Sequence, residues 1–178
     1  HQFLDTFPVG GVAGLGVDFK AQLLQGVDCV FQLADGSAGQ DDGCAELSIK
    51  LYESGGIPKS KQILGAAFYS RKWEGVPAGE MHGLGQKGST KESGGFGPNY
   101  GKLKAEYIGK NGYVLYRDNG APYLYKEETG EFICFDDPVS VAEKTEYVKE
   151  NGLAGIMYWE HSCDPTKDLL TAIDKASK

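Results

Sequence analysis

The sequence predicts an α/β fold in which short buried strands follow helices and a smaller antiparallel α+β segment interrupts the pattern. Three observations carry this. Apolar runs of strand length recur in "VDCVFQLAD", "KQILGAAFY" and "GLAGIMYW", as strands buried on both faces require. Each run follows a helix-spaced segment, the order that builds a parallel sheet. Between the second and third runs, aromatic and polar residues alternate around Asp118-Asn119-Gly120 and Glu128-Thr129-Gly130, the pattern of short antiparallel strands.

The 178 residues suffice for a sizeable core, with a formal net charge of -7 and no block of Lys or Arg. That charge argues against nucleic acid or an anionic membrane as partner. No apolar run approaches the roughly 20 residues of a membrane span, and no cleavable signal is legible. A first residue of His1 rather than Met points to a processed or excised piece of a longer chain. Cys29, Cys44, Cys134 and Cys163 show no zinc-ligand spacing. Cys29–Cys44 is the one pairing the spacing suggests, and the others read as small buried thiols. His161, Cys163 and Asp164 crowd one turn, too weak a pattern for a metal site. Neither metal nor cofactor is expected.

Residues 1–16 are loop-like. Their run "GGVAGLG" lacks the preceding strand and the following acid of a nucleotide fingerprint, so it reads as a turn. Asp18 to Gln25 is helix-like, and the strand ending at Asp35 follows. Cys44 to Ser54 has helical spacing through Leu47, Ile49, Leu51 and Tyr52. "GGIPKS" stops that helix, and a buried strand runs from Gln62 to about Tyr69. Gly75 to Asn99 is Gly-rich and polar, a long loop. Tyr100 to Lys110 looks helical, anchored by Leu103, Tyr107 and Ile108. Beyond the antiparallel strands, Asp137 caps a helix with Pro138 in its first turn. Val141, Thr145 and Val148 form its apolar face, and Asn151-Gly152 closes it. Asp164-Pro165 repeats the Asp-Pro start, and Leu169, Leu170 and Ile173 anchor the last helix.

Ligands of parallel α/β folds meet the C-terminal ends of the strands. Those ends carry Asp35, then Tyr69 with Arg71 and Trp73, then Trp159 with Glu160 and His161. Aromatic faces beside acids and Arg suit a sugar, whose C–H groups pack on π-faces while its hydroxyls take polar partners. The plainer alternative is that the aromatics cap the core and Arg71 pairs with Glu160.

Two longer stretches resemble a known family. "GIPKSKQILGAAFYSRKWEGV" resembles the seventh-strand region of family 18 glycoside hydrolases, the chitinases, whose usual form is G-[VI]-P-x-x-K-[LI]-x-[LI]-G-x-x-F-Y-[GS]-R. "YVLYRDNGAPYLYKEETGEFICFDDPVSVAEKTEYVKENGLAGIMYWEHSCDP" resembles that family's inserted domain followed by its eighth strand. The match runs from about Cys44 to Ile173.

The resemblance implies the C-terminal part of a (β/α)₈ TIM-type barrel with an α+β domain inserted between strands seven and eight. Residues 1–74 would belong to the barrel, with 1–34 unmatched; 75–137 would form the insertion, and 138–178 the last helix, strand and helix. The implied ligand is chitin or an oligosaccharide of β-1,4-linked N-acetylglucosamine. Carried over by position, Trp159 becomes the floor under the sugar at the cleavage point, and Tyr69 and Arg71 line the same pocket. Trp73 and Met157 extend it, and Asp35 stands for the Asp of the sixth-strand motif M-x-Y-D, with Ala34 in place of its Tyr.

No D-x-x-D-x-D-x-E run, the family's fourth-strand acid motif, occurs, and Asp41, Asp42 and Glu46 do not reproduce its spacing. No catalytic residue is therefore assigned. In the implied mechanism the substrate's own acetamide is the nucleophile and the Glu of that motif the general acid. A complete barrel takes about 250 residues, so the missing N-terminal half of the barrel becomes an expected partner. Two readings follow: part of a secreted chitinase-like hydrolase, or a non-catalytic chitin-binding, lectin-like protein. The extracellular location rests on the polymeric substrate that the resemblance implies.

Overall fold

A computed structural model describes residues 45–178. Asp35, Cys29, Cys44, the glycine run and the helix and strand expected over 17–35 lie outside the described residues. The fold is mixed α/β, with a two-stranded parallel sheet and a five-stranded antiparallel sheet. Among the described residues, no helix is long and apolar enough to cross a membrane.

Helix α1 (Ala45–Ser54) buries only Ile49, while Leu47 stays exposed. Strand β1 (Ile63–Ala67) pairs in parallel with β7 (Gly155–Trp159), from Ile63 opposite Gly155 to Ala67 opposite Trp159. Because strand side chains alternate faces, Ala66 and Phe68, with Ile156 and Tyr158, turn toward helix α3 (Pro138–Glu150) and helix α4 (Asp168–Ser177). Ile63, Met157 and Trp159 stay exposed on the other face.

The run from Gln62 is not one strand. The chain breaks at Phe68, and β2 (Tyr69–Trp73) belongs to the antiparallel sheet, whose order is β3-β2-β6-β5-β4. Sheet membership thus changes ahead of the expected limit at residue 74. The expected long loop also contains a strand, β3 (Phe96–Asn99), which pairs Asn99 with Tyr69 and Phe96 with Arg71. Its approach is close: a Cβ at Gly97 would collide with Ser70 Oγ, and that hydroxyl donates to the Pro98 carbonyl at 2.6 Å. The predicted helix from Tyr100 is a single turn, α2 (Tyr100–Lys102), running into a π-helical turn at Leu103–Tyr107.

Strands β4 (Val114–Asp118), β5 (Ala121–Lys126) and β6 (Glu131–Phe135) follow as an antiparallel meander. Asn119 and Gly120, at φ 43° and 84°, make the predicted two-residue turn between β4 and β5. One face of this sheet gives Leu124, Ile133 and Phe135 to a core shared with Ala66, Phe68, Val141, Leu169 and Ile173. A second core packs Trp73, Tyr123, Tyr125, Phe132 and Cys134 beneath Val76 and Leu84 of the Gly-rich loop. Tyr125 and Tyr123 pin that loop by donating to the carbonyls of Val76, at 2.8 Å, and Met81, at 2.9 Å.

The caps of α3 are those the sequence predicts. Asp137 accepts from the amides of Val139 and Ser140, and Ser140 Oγ accepts from the Asp137 amide at 3.0 Å, a reciprocal capping box. Gly152 follows at φ 64°. Helix α4 differs: it begins at Asp168, not Pro165. Asp164 caps it from four residues back, accepting from the amides of Asp168, Leu169 and Leu170 at 2.9–3.2 Å.

Candidate functional site

The candidate site lies where β1 and β7 end together. Ala67 and Trp159 form the last rung, and the Phe68 amide donates to the Trp159 carbonyl at 2.8 Å. Phe68 is fixed from behind, its ring stacked on Tyr158 at 4.6 Å and its carbonyl accepting from the Tyr100 amide at 2.9 Å. The rung is further tied down by Asp136, 3% exposed, which accepts from the Ala67 amide at 3.3 Å. The same carboxylate takes Ser140 Oγ at 2.7 Å and Lys144 Nζ at 2.7 and 2.9 Å, so β1, β6 and α3 meet on one buried charge.

On this support Trp159 presents its indole to solvent, 65% exposed, and Met157, on the same face, is 41% exposed. The Trp159–Glu160 peptide is cis. Tyr69 is two residues beyond the rung partner of Trp159, half-buried, and begins β2. The Arg71 guanidinium lies between two rings, 5.6 Å from the Tyr69 centroid and 4.5 Å from that of Phe96. Trp159 and Met157 thus share the exposed face of β7 at the end of the parallel pair, while Tyr69 and Arg71 follow the end of β1 on β2. Phe96 lies beside Arg71, and in the sequence it is marked only as an aromatic alone among Gly, Ser and Pro in "KESGGFGPN".

Trp73 lies elsewhere. It is 4% exposed and packs edge-on against Phe132 at 6.0 Å in the second core: it shares the β2 face of Tyr69 and Arg71, but at its end of the strand Val76 and Leu84 of the Gly-rich loop pack in the same core. A buried indole offers no face to a ligand. The considered Arg71–Glu160 pair is also absent: the Glu160 carboxylate accepts from Ser162 Oγ and, at 3.7 Å, from Cys163 Sγ. Burial first, with that carboxylate beside it, raises the Cys163 thiol above its ordinary pKa. His161, Cys163 and Asp164 do not converge. His161 tilts against Tyr158, Cys163 faces Glu160 and Asp164 caps α4. The arrangement can bind: an open aromatic floor, a flanking phenol and a cation held between rings.

Comparison with known proteins gives the family. Residues 29–164 match the family model described as glycosyl hydrolases family 18. Chitinase A1 of Niallia circulans is 41% identical over 121 residues, which are 64% of this chain and 17% of that protein. Chitinase B of Serratia marcescens is 30% identical over 146 residues, 67% of this chain and 28% of that protein. Among solved structures, a family 18 N-acetylglucosaminidase from Paenibacillus barengoltzii is 40% identical with a TM-score of 0.69, covering 83% of this chain and 42% of that one. The chain thus spans less than half the length of each of these relatives. With these neighbours, the β1–β7 pair and its helices read as part of a TIM-type barrel. The chain belongs to family 18 of the glycosyl hydrolases.

Proposed function

We propose that this chain supplies one wall of the substrate cleft of a secreted, chitin-degrading glycoside hydrolase acting on β-1,4-linked N-acetylglucosamine. In this reading β1 and β7 are barrel strands seven and eight, and the five-stranded sheet is the domain inserted between them. Trp159 is the floor under the sugar at the cleavage point, Met157 widens it, Tyr69 and Arg71 form its side, and Asp35 enters from strand six. The observation that carries the reading is the indole of Trp159, open to solvent at the last rung of a parallel pair whose backbone is held from three sides. An indole this exposed has no packing role, and its face matches the C–H face of a pyranose.

Cleavage of the glycosidic bond would need the substrate's acetamide as nucleophile and a general acid to protonate the leaving oxygen, a contribution of about 10²–10⁴-fold. The acid motif is absent from the sequence, and Glu160 is engaged by Ser162 and Cys163. The acid therefore comes from the rest of the barrel, and this chain alone binds without turning over. Two assays on the unaltered chain test this: release of chromophore from a chromogenic chito-oligosaccharide, and calorimetric titration with the unlabelled sugar. Binding without release is expected. Release by this chain would refute the placement of the acid, and no binding would refute the sugar site.

A further inference from the structure

The chain contains three Asn-Gly steps, at Asn111, Asn119 and Asn151. An Asn side-chain amide followed by Gly is an intramolecular electrophile, because no Cβ shields the next backbone nitrogen from its carbonyl carbon. Whether the two groups meet depends on what holds them, and the fold holds the three steps differently. At Asn151 both are engaged. Its Nδ2 donates to the Tyr147 carbonyl at 3.0 Å, its Oδ1 accepts from Lys59 Nζ at 3.2 Å, and the Gly152 amide donates to the Lys149 carbonyl at 3.2 Å. At Asn111, Nδ2 donates to the Glu106 carbonyl at 2.8 Å. The exposed side chain of Asn119 is held least. Among the described residues its one hydrogen-bond contact is Nδ2 at 3.4 Å from the Asp118 carboxylate, beyond the range of a firm N–H···O bond.

What Asn119-Gly120 supports is the second observation. The two residues form the turn that sets Asp118 opposite Ala121, and so the register of β4 on β5. The Gly120 carbonyl accepts from Arg117 Nη1 at 2.6 Å, and the other arm of that guanidinium pairs with Asp137, the N-cap of α3. Glu143 of α3 packs so near that a Cβ on Gly120 would stand 2.5 Å from its Oε2. The turn thus ties the edge of the antiparallel sheet to α3. One extra backbone carbon at residue 119 would draw the Gly120 carbonyl off Arg117 and free the guanidinium that braces the cap.

We propose that Asn119 is a deamidation site, the first of the three steps to convert, and that its conversion loosens the antiparallel sheet from α3. The Gly120 backbone nitrogen attacks Cγ of Asn119; the new N–Cγ bond forms as the bond from Cγ to the side-chain nitrogen breaks. That nitrogen leaves as ammonia, carrying the proton of the Gly120 amide. Water then opens the ring at either carbonyl carbon, giving aspartate or isoaspartate, the latter with the extra backbone carbon. Tryptic cleavage puts the three steps in separate peptides, 111–117, 118–126 and 150–167. The full chain is incubated at neutral pH below its melting temperature, then digested and read by mass spectrometry, with the unincubated chain as blank. A hydrogen bond that must open first slows conversion by about fivefold. Peptide 118–126 should therefore convert at least about fivefold faster than 111–117, and faster still than 150–167. Equal rates, or another peptide converting first, would overturn the site. In denaturant the gap should close, and a gap that persists there would overturn the role of the fold. Asn119→Gly keeps a residue suited to this turn but has no amide to lose. Incubation should lower the denaturant midpoint of the unaltered chain and leave that of Asn119→Gly in place. Equal falls in the two proteins would overturn the link to α3.

Discussion

Ala67 and Trp159 are partners on the last rung of the parallel pair, and the amide next to Ala67, that of Phe68, donates to the Trp159 carbonyl at 2.8 Å. This one relationship sets the position of the candidate site. It fixes the indole backbone to the end of β1, so whatever holds β1 also holds the proposed sugar floor. Asp136 is one such holder, and its carboxylate pairs with Lys144 at 2.7 Å.

Lys144→Met should therefore destabilise the fold by about 3–5 kcal/mol, the usual consequence of leaving a buried carboxylate without its cation. Denaturant unfolding at neutral pH measures this. The double variant Asp136→Leu with Lys144→Met should recover only part of the loss: it no longer buries a lone charge, but it leaves the Ala67 amide and the Ser140 hydroxyl without this acceptor. Unchanged stability in Lys144→Met would show that the pair does not hold β1.

Glu131 gives the fold an acid-sensitive contact. Burial pushes its carboxyl pKa up, but the hydrogen bonds from Lys72, Tyr113 and Thr129 outweigh it, and the folded value lies below the ordinary 4.5. A carboxyl with a depressed folded pKa binds protons more readily in the unfolded chain. Its stabilising contribution is complete above about pH 4.5 and is lost as pH falls through the lowered value. The Tyr113 hydroxyl that donates to it at 2.6 Å is raised by burial and by that bond, so it remains protonated throughout. The denaturation midpoint should accordingly fall between pH 6 and pH 3, and the fall should be smaller in Glu131→Gln. An equal fall in both proteins would contradict the assignment.

Local chemistry made much of this fold legible in the sequence. Asp137-Pro138 and Asn151-Gly152 bound α3 as expected, because caps are satisfied by neighbouring residues. The turn at Asn119-Gly120 is equally local, since its φ angles need those residue types. What the sequence hid depends on distant partners. The run Gln62 to Trp73 looks continuous, yet its two halves hydrogen-bond to β7 and to β3 and β6. Trp73 shares a β2 face with Tyr69 and Arg71 but is buried by Val76 and Leu84, distant partners that periodicity does not show. Phe96 was invisible because its strand exists only by pairing with β2. For the candidate site, the sequence order places Trp159 and Met157 on the last parallel strand and Tyr69 two residues past the end of its partner, because parallel topology sets such ends side by side.

The most direct test of the central claim is the affinity of Trp159→Ala for chito-oligosaccharide, measured by calorimetry beside the unaltered chain. The side chain is 65% exposed, so its removal should leave the melting temperature nearly unchanged. The sugar-floor reading predicts at least a roughly tenfold loss of affinity, about 1.4 kcal/mol. Equal affinity in the two proteins would contradict it.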